Sequence, residues 1–266
     1  MLANLRGAVL PLSRAMASGR AMSETEGASA TLIQSTRKGF ARDLSVGSIN
    51  YMACPELIRN PGLGDRFDAH RFRMLHPDGK HLIAHWFERA WSKRGCASEE
   101  SFEPFIFCWI ALNGWAACCT ELDQDRQWLD ALIESPEVRR RFETLLEGSE
   151  EIRQIAERFR SYWPVFKAQE LRRLGALAYW HGDRPQTIDH YLRAGARQLS
   201  PDCWLRHHAA HEDVPLDFPH TAVALYRVRC NLFHGDKAPH SEVDRILVST
   251  SFRLLAEFLN SWDLLR

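Results

Sequence analysis

The chain has no surplus of charge: Lys+Arg and Asp+Glu both number 34 in 266 residues. Non-specific nucleic-acid binders rely on a positive surplus to attract phosphates, so that mode is excluded for the chain as a whole. Any site acting on nucleic acid has to be local, or built by dimerisation. No CxxC pair occurs. The seven cysteines, at 54, 96, 108, 118, 119, 203 and 230, are odd in number, and several fall inside apolar stretches. This argues against a disulfide framework or a zinc ribbon and for buried, reduced thiols in a cytoplasmic protein. The uncharged stretch Pro104 to Thr120 falls short of the roughly 20 residues of a membrane-spanning helix. It holds Asn113 and Gly114 at its middle and reads as a buried core helix. No secretory signal is present, because the apolar run Ala8 to Leu12 is short and contains Pro11. HExxH, Walker-type loops, Gly-rich dinucleotide turns and G-x-S-x-G words are all missing. So are internal repeats and the period-two alternation of strands.

What is there is helical. A hydrophobic fraction of 45% supports a real core. Residues 1–48 read as a poorly ordered leader, with Arg6, Arg14 and Arg20 and no acid before Glu24. That composition suits an organelle transit peptide or an over-long gene start with Met16 or Met22 as initiator. Residues 49–98 form an N-terminal segment of unassigned role, with a helix near 78–93. The segment 102–120 is the uncharged helix. Ser135-Pro136-Glu137 supplies a cap, a Pro at the first helical position and an early acid, and the stripe continues through Ile152, Ile155 and Phe159 after Gly148. A further helix carries Leu171, Leu174, Leu177 and Ala178 and stops at Gly182. Asp183 and Pro185 open another through Ile188, Leu192 and Leu199. Pro219 begins the helix that ends at Gly235, and Ser241 caps the last, whose core side carries Val243, Leu247, Leu254, Phe258 and Trp262. The class is all-α, an up-and-down bundle with a long irregular connection around 200–218.

Two words stand out: Phe105-Ile106-Phe107-Cys108-Trp109-Ile110-Ala111-Leu112-Asn113-Gly114-Trp115, and Tyr226-Arg227-Val228-Arg229-Cys230-Asn231-Leu232-Phe233-His234-Gly235-Asp236-Lys237. Both resemble HEPN proteins, a helical family that includes many toxin and phage-defence ribonucleases. The second matches that family's R-x4-6-H signature, and the first looks like its opening helix. The resemblance covers about 99–266. It implies a helical bundle of HEPN type and a metal-independent endoribonuclease without cofactor. It further implies a homodimer with the site at the interface, RNA as substrate, and an antitoxin or other regulatory protein as a further partner. The same spacing recurs at Arg71/His76 and Arg206/His211, without an apolar helix before it or a His-Gly ending after it.

The residues themselves bear on this chemistry. A helix over 219–234 is apolar on most sides and belongs inside a bundle or a dimer seam. Arg227, Arg229, Asn231 and His234 interrupt it and need partners or a ligand there. Gly235 suits the left-handed position past a helix end. His234 can serve as general base or acid in attack by an RNA 2′-hydroxyl, with a guanidinium offsetting charge on the phosphate. By the resemblance, Arg229, His234 and Asn231 are the catalytic set, with Arg227 and Lys237 as phosphate contacts. Geometry complicates that assignment. Residues five apart on a helix point about 140° apart, whereas Arg227, Asn231 and His234 lie on one stripe at i, i+4 and i+7. Arg227 also fits the looser family spacing, with six residues between. The competing assignment pairs Arg229 with a buried acid such as Glu121 or Glu257 and leaves His234 to cap the helix. On that view the domain is a catalytically inactive RNA-binding or protein-interaction module.

Two histidine groups are weaker metal candidates. His81 and His85 share a helix face without an obvious third ligand. His207, His208 and His211 stand near Asp202, Glu212 and Asp213 in an expected loop. Trp109, Trp115, Trp163, Trp180 and Trp204 read as core aromatics.

Overall fold

A helix with no charge along seventeen residues has no strongly polar face, and the fold packs its neighbours along one long side of it. The computed structural model describes residues 54–176, 183–237 and 241–265. These form helices α1 (Ala69–Met74), α2 (Pro77–Trp91), α3 (Phe102–Thr120), α4 (Asp125–Glu134), α5 (Pro136–Gly148), α6 (Glu150–Arg160), α7 (Ala168–Arg173), α8 (Arg184–Arg193), α9 (Trp204–Ala209), α10 (Phe218–Phe233) and α11 (Glu242–Asn260). No strand occurs among the described residues, so the fold is all-α.

The uncharged α3 packs against α1, α2, α4 and α11. At Gly114 a Cβ would come 2.8 Å from Ile83 Cγ1, so α2 and α3 approach one another that closely. The length and hydropathy of α3 would also suit a membrane span, but here Phe105, Cys108, Trp109, Leu112 and Trp115 are enclosed by protein. Aromatic rings dominate this core. Trp115 lies 5.6 Å from Phe67, 6.2 Å from Phe258 and 5.1 Å from Trp262, between ring centroids. Trp109 lies 6.1 Å from both Trp128 and Tyr226. A smaller cluster of Phe166, Leu171, Tyr191 and Leu199 sits between α7 and α8.

Local chemistry sets the helix starts. Ser135, Ser149, Asp183, Asp217 and Ser241 each accept a hydrogen bond from the backbone N–H three residues on, each worth about 1 kcal/mol. Pro follows at the first or second helical position in α5, α8 and α10.

Several sequence expectations shift. Helix α4 has no counterpart in them; its N-cap, Gln124, makes no side-chain cap, so its only local signal is the buried pattern Trp128, Leu129, Leu132, Ile133. Helix α8 ends before Gly195, at φ 98°, which leaves Leu199 outside it. Helix α7 stops before Gly175, at φ 67°. Leu177, Ala178, Trp180 and Gly182 lie outside the described residues, as do residues 1–48. The connection expected at 200–218 contains α9. The division drawn at 98/99 falls inside one compact unit, Asn50–Arg266.

Truncating the centre of the aromatic core should be severe. Trp115→Ala is expected to cost about 3–5 kcal/mol, read as a lowered urea midpoint with an unchanged slope.

Candidate functional site

The second sequence word forms the last two turns of α10 and the turn that follows. Its C-terminus closes as a Schellman motif: Asp236 N–H donates to Asn231 O at 2.8 Å and Gly235 N–H to Leu232 O at 3.0 Å, with Gly235 at φ 71°. Only glycine adopts that backbone conformation without steric cost. Side chains then fix the turn from three sides. Asn231 is buried; its Nδ2 donates to Phe166 O at 2.8 Å, and its Oδ1 accepts from Ala168 N–H at 3.2 Å. Asp236 pairs with Arg172. Lys237 Nζ lies 2.5 Å from Asp244 Oδ1, with both side chains buried. Burial pushes the Lys237 ammonium pKa below its ordinary value, and the Asp244 carboxylate opposes that shift.

His234 is different. It occupies the C-cap, exposed, and its imidazole makes no hydrogen bond or ion pair among the described residues. Of the five residues the sequence assigns to the site, Asn231 and Lys237 therefore hold the turn, and His234 is what the turn presents.

The two arginines face different ways. Arg229 Nη2 lies 3.0 Å from Asp125 Oδ2, and its guanidinium carbon lies 4.7 Å from the Phe233 ring centroid, 5.8 Å from that of Trp109 and 5.9 Å from that of Tyr226. The ion pair expected with Glu121 or Glu257 is made instead with Asp125, on α4, and is half-buried rather than buried. Arg227 lies on the stripe with Asn231 and His234, and these three line one cleft of about 260 Å³. Arg227 Nε donates to Ser200 Oγ at 3.3 Å, and no carboxylate pairs with its guanidinium among the described residues.

The fold adds to this cleft what no local motif announces. Arg59 from the segment after Cys54, Arg126 from α4 and Lys167 before α7 line it together with Arg227, against a single carboxylate, Asp202. Arg59 Nη2 lies 3.7 Å from Asp202 Oδ2, and Arg126 Nη2 lies 3.0 Å from Asp130 Oδ1. Burial lowers the pKa of Arg227 and of Arg126, because each cation is held partly out of water. An anion entering the cleft would offset the cost of that burial, most strongly at Arg227, which makes no ion pair among the described residues and feels Asp202 only at longer range. A chain neutral overall thus has a locally cationic concavity with one unbonded histidine at its edge.

The other histidines separate. His81 and His85 are exposed, with ring centroids 6.5 Å apart, and no further ligand group joins them among the described residues. His208 stacks on Trp204 at 4.5 Å, and His211 is exposed at φ 56°. His207 is buried instead, and burial, Arg206 and His220 hold its pKa below the ordinary histidine value.

No known protein family, curated protein or solved structure matches the chain.

The different surroundings of the two arginines predict different costs. Arg229→Ala should lower stability by about 1–3 kcal/mol, because it leaves Asp125 unpaired and removes contacts with three rings. Arg227→Ala should cost less than about 1 kcal/mol. Paired urea titrations would read both values, and equal losses would contradict the difference in surroundings.

Proposed function

We propose that the chain is a metal-independent endoribonuclease of HEPN type whose phosphate-holding arginine is Arg227. The observation that carries this reading is the convergence of Arg227, Arg59, Arg126 and Lys167 on one cleft with His234 at its edge. Four cations on a concave surface suit a polyanion, and the spacing of six residues between Arg227 and His234 fits the family signature as well as the shorter spacing does. Arg229, neutralised by Asp125, then supports the helix rather than the substrate.

In the proposed reaction the His234 imidazole takes the proton of a ribose 2′-hydroxyl as that oxygen attacks the adjacent phosphorus. The bond from phosphorus to the 5′-oxygen breaks, and that oxygen leaves with a proton from solvent or from a second histidine. The products are a 2′,3′-cyclic phosphate and a 5′-hydroxyl. Arg227 holds the non-bridging oxygens as their charge grows. Asn231 acts by fixing the turn that positions His234.

The reading includes a cytoplasmic homodimer, as the resemblance implies. It is supported by Phe233, which stands 49% exposed beside His234 and offers apolar surface where a second α10 would meet the first. A toxin or phage-defence setting, under an antitoxin or other regulator, belongs to the same reading.

One observation favours a second reading. No acid orients His234 among the described residues, whereas a general base is usually held by a hydrogen-bond partner. A cleft that binds RNA without cutting it would have the same cations.

Labelled single-stranded RNA, incubated without added divalent metal, separates the two. Cleavage to cyclic-phosphate ends should fall about 10²–10⁴-fold in His234→Ala. In Arg227→Ala, binding should weaken and the salt dependence should lose a slope of about 0.7, equivalent to one phosphate. Binding without cleavage, insensitive to His234→Ala, selects the binding module. Failure to bind RNA contradicts both.

A further inference from the structure

The cluster around His207 carries chemistry that the cleft does not use. Cys54, Cys203, His207 and His220 are all buried, and their ligand atoms lie within 4.8 Å of one another. Cys54 stands before the first turn of the described chain, Cys203 and His207 lie one helical turn apart at the start of α9, and His220 lies in the first turn of α10. His207 Nε2 is 3.4 Å from Cys54 Sγ, and His220 Nε2 is 3.2 Å from the same sulfur. Tetrahedral zinc, with bonds of about 2.3 Å to sulfur and about 2.0–2.1 Å to nitrogen, separates sulfur and nitrogen ligands by about 3.6 Å. The two separations from Cys54 are within a few tenths of an ångström of that value, and the 4.8 Å that bounds the whole cluster closes to it with side-chain adjustments of about 1 Å.

We propose that these four residues form a closed, structural zinc site. Two thiolates and two imidazoles are the donor set that selects tetrahedral zinc, and four protein ligands leave no open position for catalysis. The surroundings support the assignment. His220 Nδ1 lies 2.5 Å from Asp217 Oδ1, the carboxylate–histidine arrangement that fixes a ring with its other nitrogen toward a metal. His207 Nδ1 stands 3.6 Å from Glu212 Oε2, oriented the same way but beyond hydrogen-bond reach. Arg206 Nη2 lies 2.8 Å from Cys54 Sγ, where its charge favours a thiolate. Asp217 therefore does two jobs, capping α10 through His220 N–H and orienting the His220 ring.

The site joins chain segments 166 residues apart in sequence, from Cys54 to His220, next to the cationic cleft. Arg59 follows Cys54 by five residues, and Asp202 immediately precedes Cys203; both line the cleft. A metal here holds that rim in register, because a cross-link closing a long loop constrains it strongly. The assignment does not depend on what the cleft binds.

The test is metal analysis of the full-length protein, purified without chelators and freed of any affinity tag. One zinc per chain is expected. Reconstitution with cobalt should give the intense visible absorption of tetrahedral geometry together with a thiolate charge-transfer band. Cys203→Ser should weaken that band and lower zinc affinity at least 10-fold; if the variant does not fold, the wild-type cobalt spectrum still decides. Wild-type protein that binds neither zinc nor cobalt stoichiometrically would overturn the proposal. So would a spectrum without the thiolate band, or a native mass showing Cys54 and Cys203 joined in a disulfide.

Discussion

Burying one long face of an uncharged stretch, Pro104 to Thr120, obliges its neighbours to be placed along it, and the rest of this structure follows from that constraint. Helix α3 draws α2 and α11 along its length, and its tryptophans provide the surfaces on which α4 and α10 settle. Trp109 touches Trp128 on α4 and Tyr226 on α10. Helix α10 is held further by α4, α5 and α11, and its C-terminal end, with Phe233 and His234, is exposed. The core places the end of α10, and the turn held by Asn231, Asp236 and Lys237 presents His234 there.

Within that frame the charges on α10 separate by side. The side toward α3 and α4 meets Asp125 and three aromatic rings, and Arg229 is neutralised there. The other side opens onto the segment carrying Arg59 and the loop carrying Ser200 and Asp202, where Arg227 bonds a hydroxyl and makes no ion pair among the described residues. Arg229 is neutralised outside the cleft, whereas Arg227 lines it with no ion pair of its own among the described residues, so its charge is the more available to a ligand. This difference, more than spacing in the sequence, assigns the phosphate-holding role to Arg227 in the proposed mechanism.

Much of the helical frame was readable because its signals are local. Ser135-Pro136 and Ser241 mark helix starts by their own side chains, and Gly235 ends α10 as its φ requirement demands. The uncharged composition of α3 announced its burial. Helix α4 went unread because Gln124 gives no side-chain cap and its apolar residues fall in one short run. The site was half legible. The stripe Arg227, Asn231, His234 follows from helical geometry alone, but which arginine is free depends on Asp125, and nothing near Arg229 in the sequence names that partner. The buried role of Asn231 depends likewise on the distant Phe166, and that of Lys237 on Asp244 across the turn into α11. The Cys203/His207 pair had a local sign, two ligand types one helical turn apart, but Cys54 and His220 reach it only through the tertiary fold.

The central claim is that the Arg227 side of α10 receives the phosphate. The most direct measurement is an NMR titration of labelled protein with a short RNA, 2′-O-methylated so that it cannot be cleaved, following arginine Nε–H and histidine ring signals. The account predicts that Arg227 and His234 shift in parallel and saturate together while Arg229 stays fixed. Shifts at Arg229 with Arg227 unmoved would contradict it.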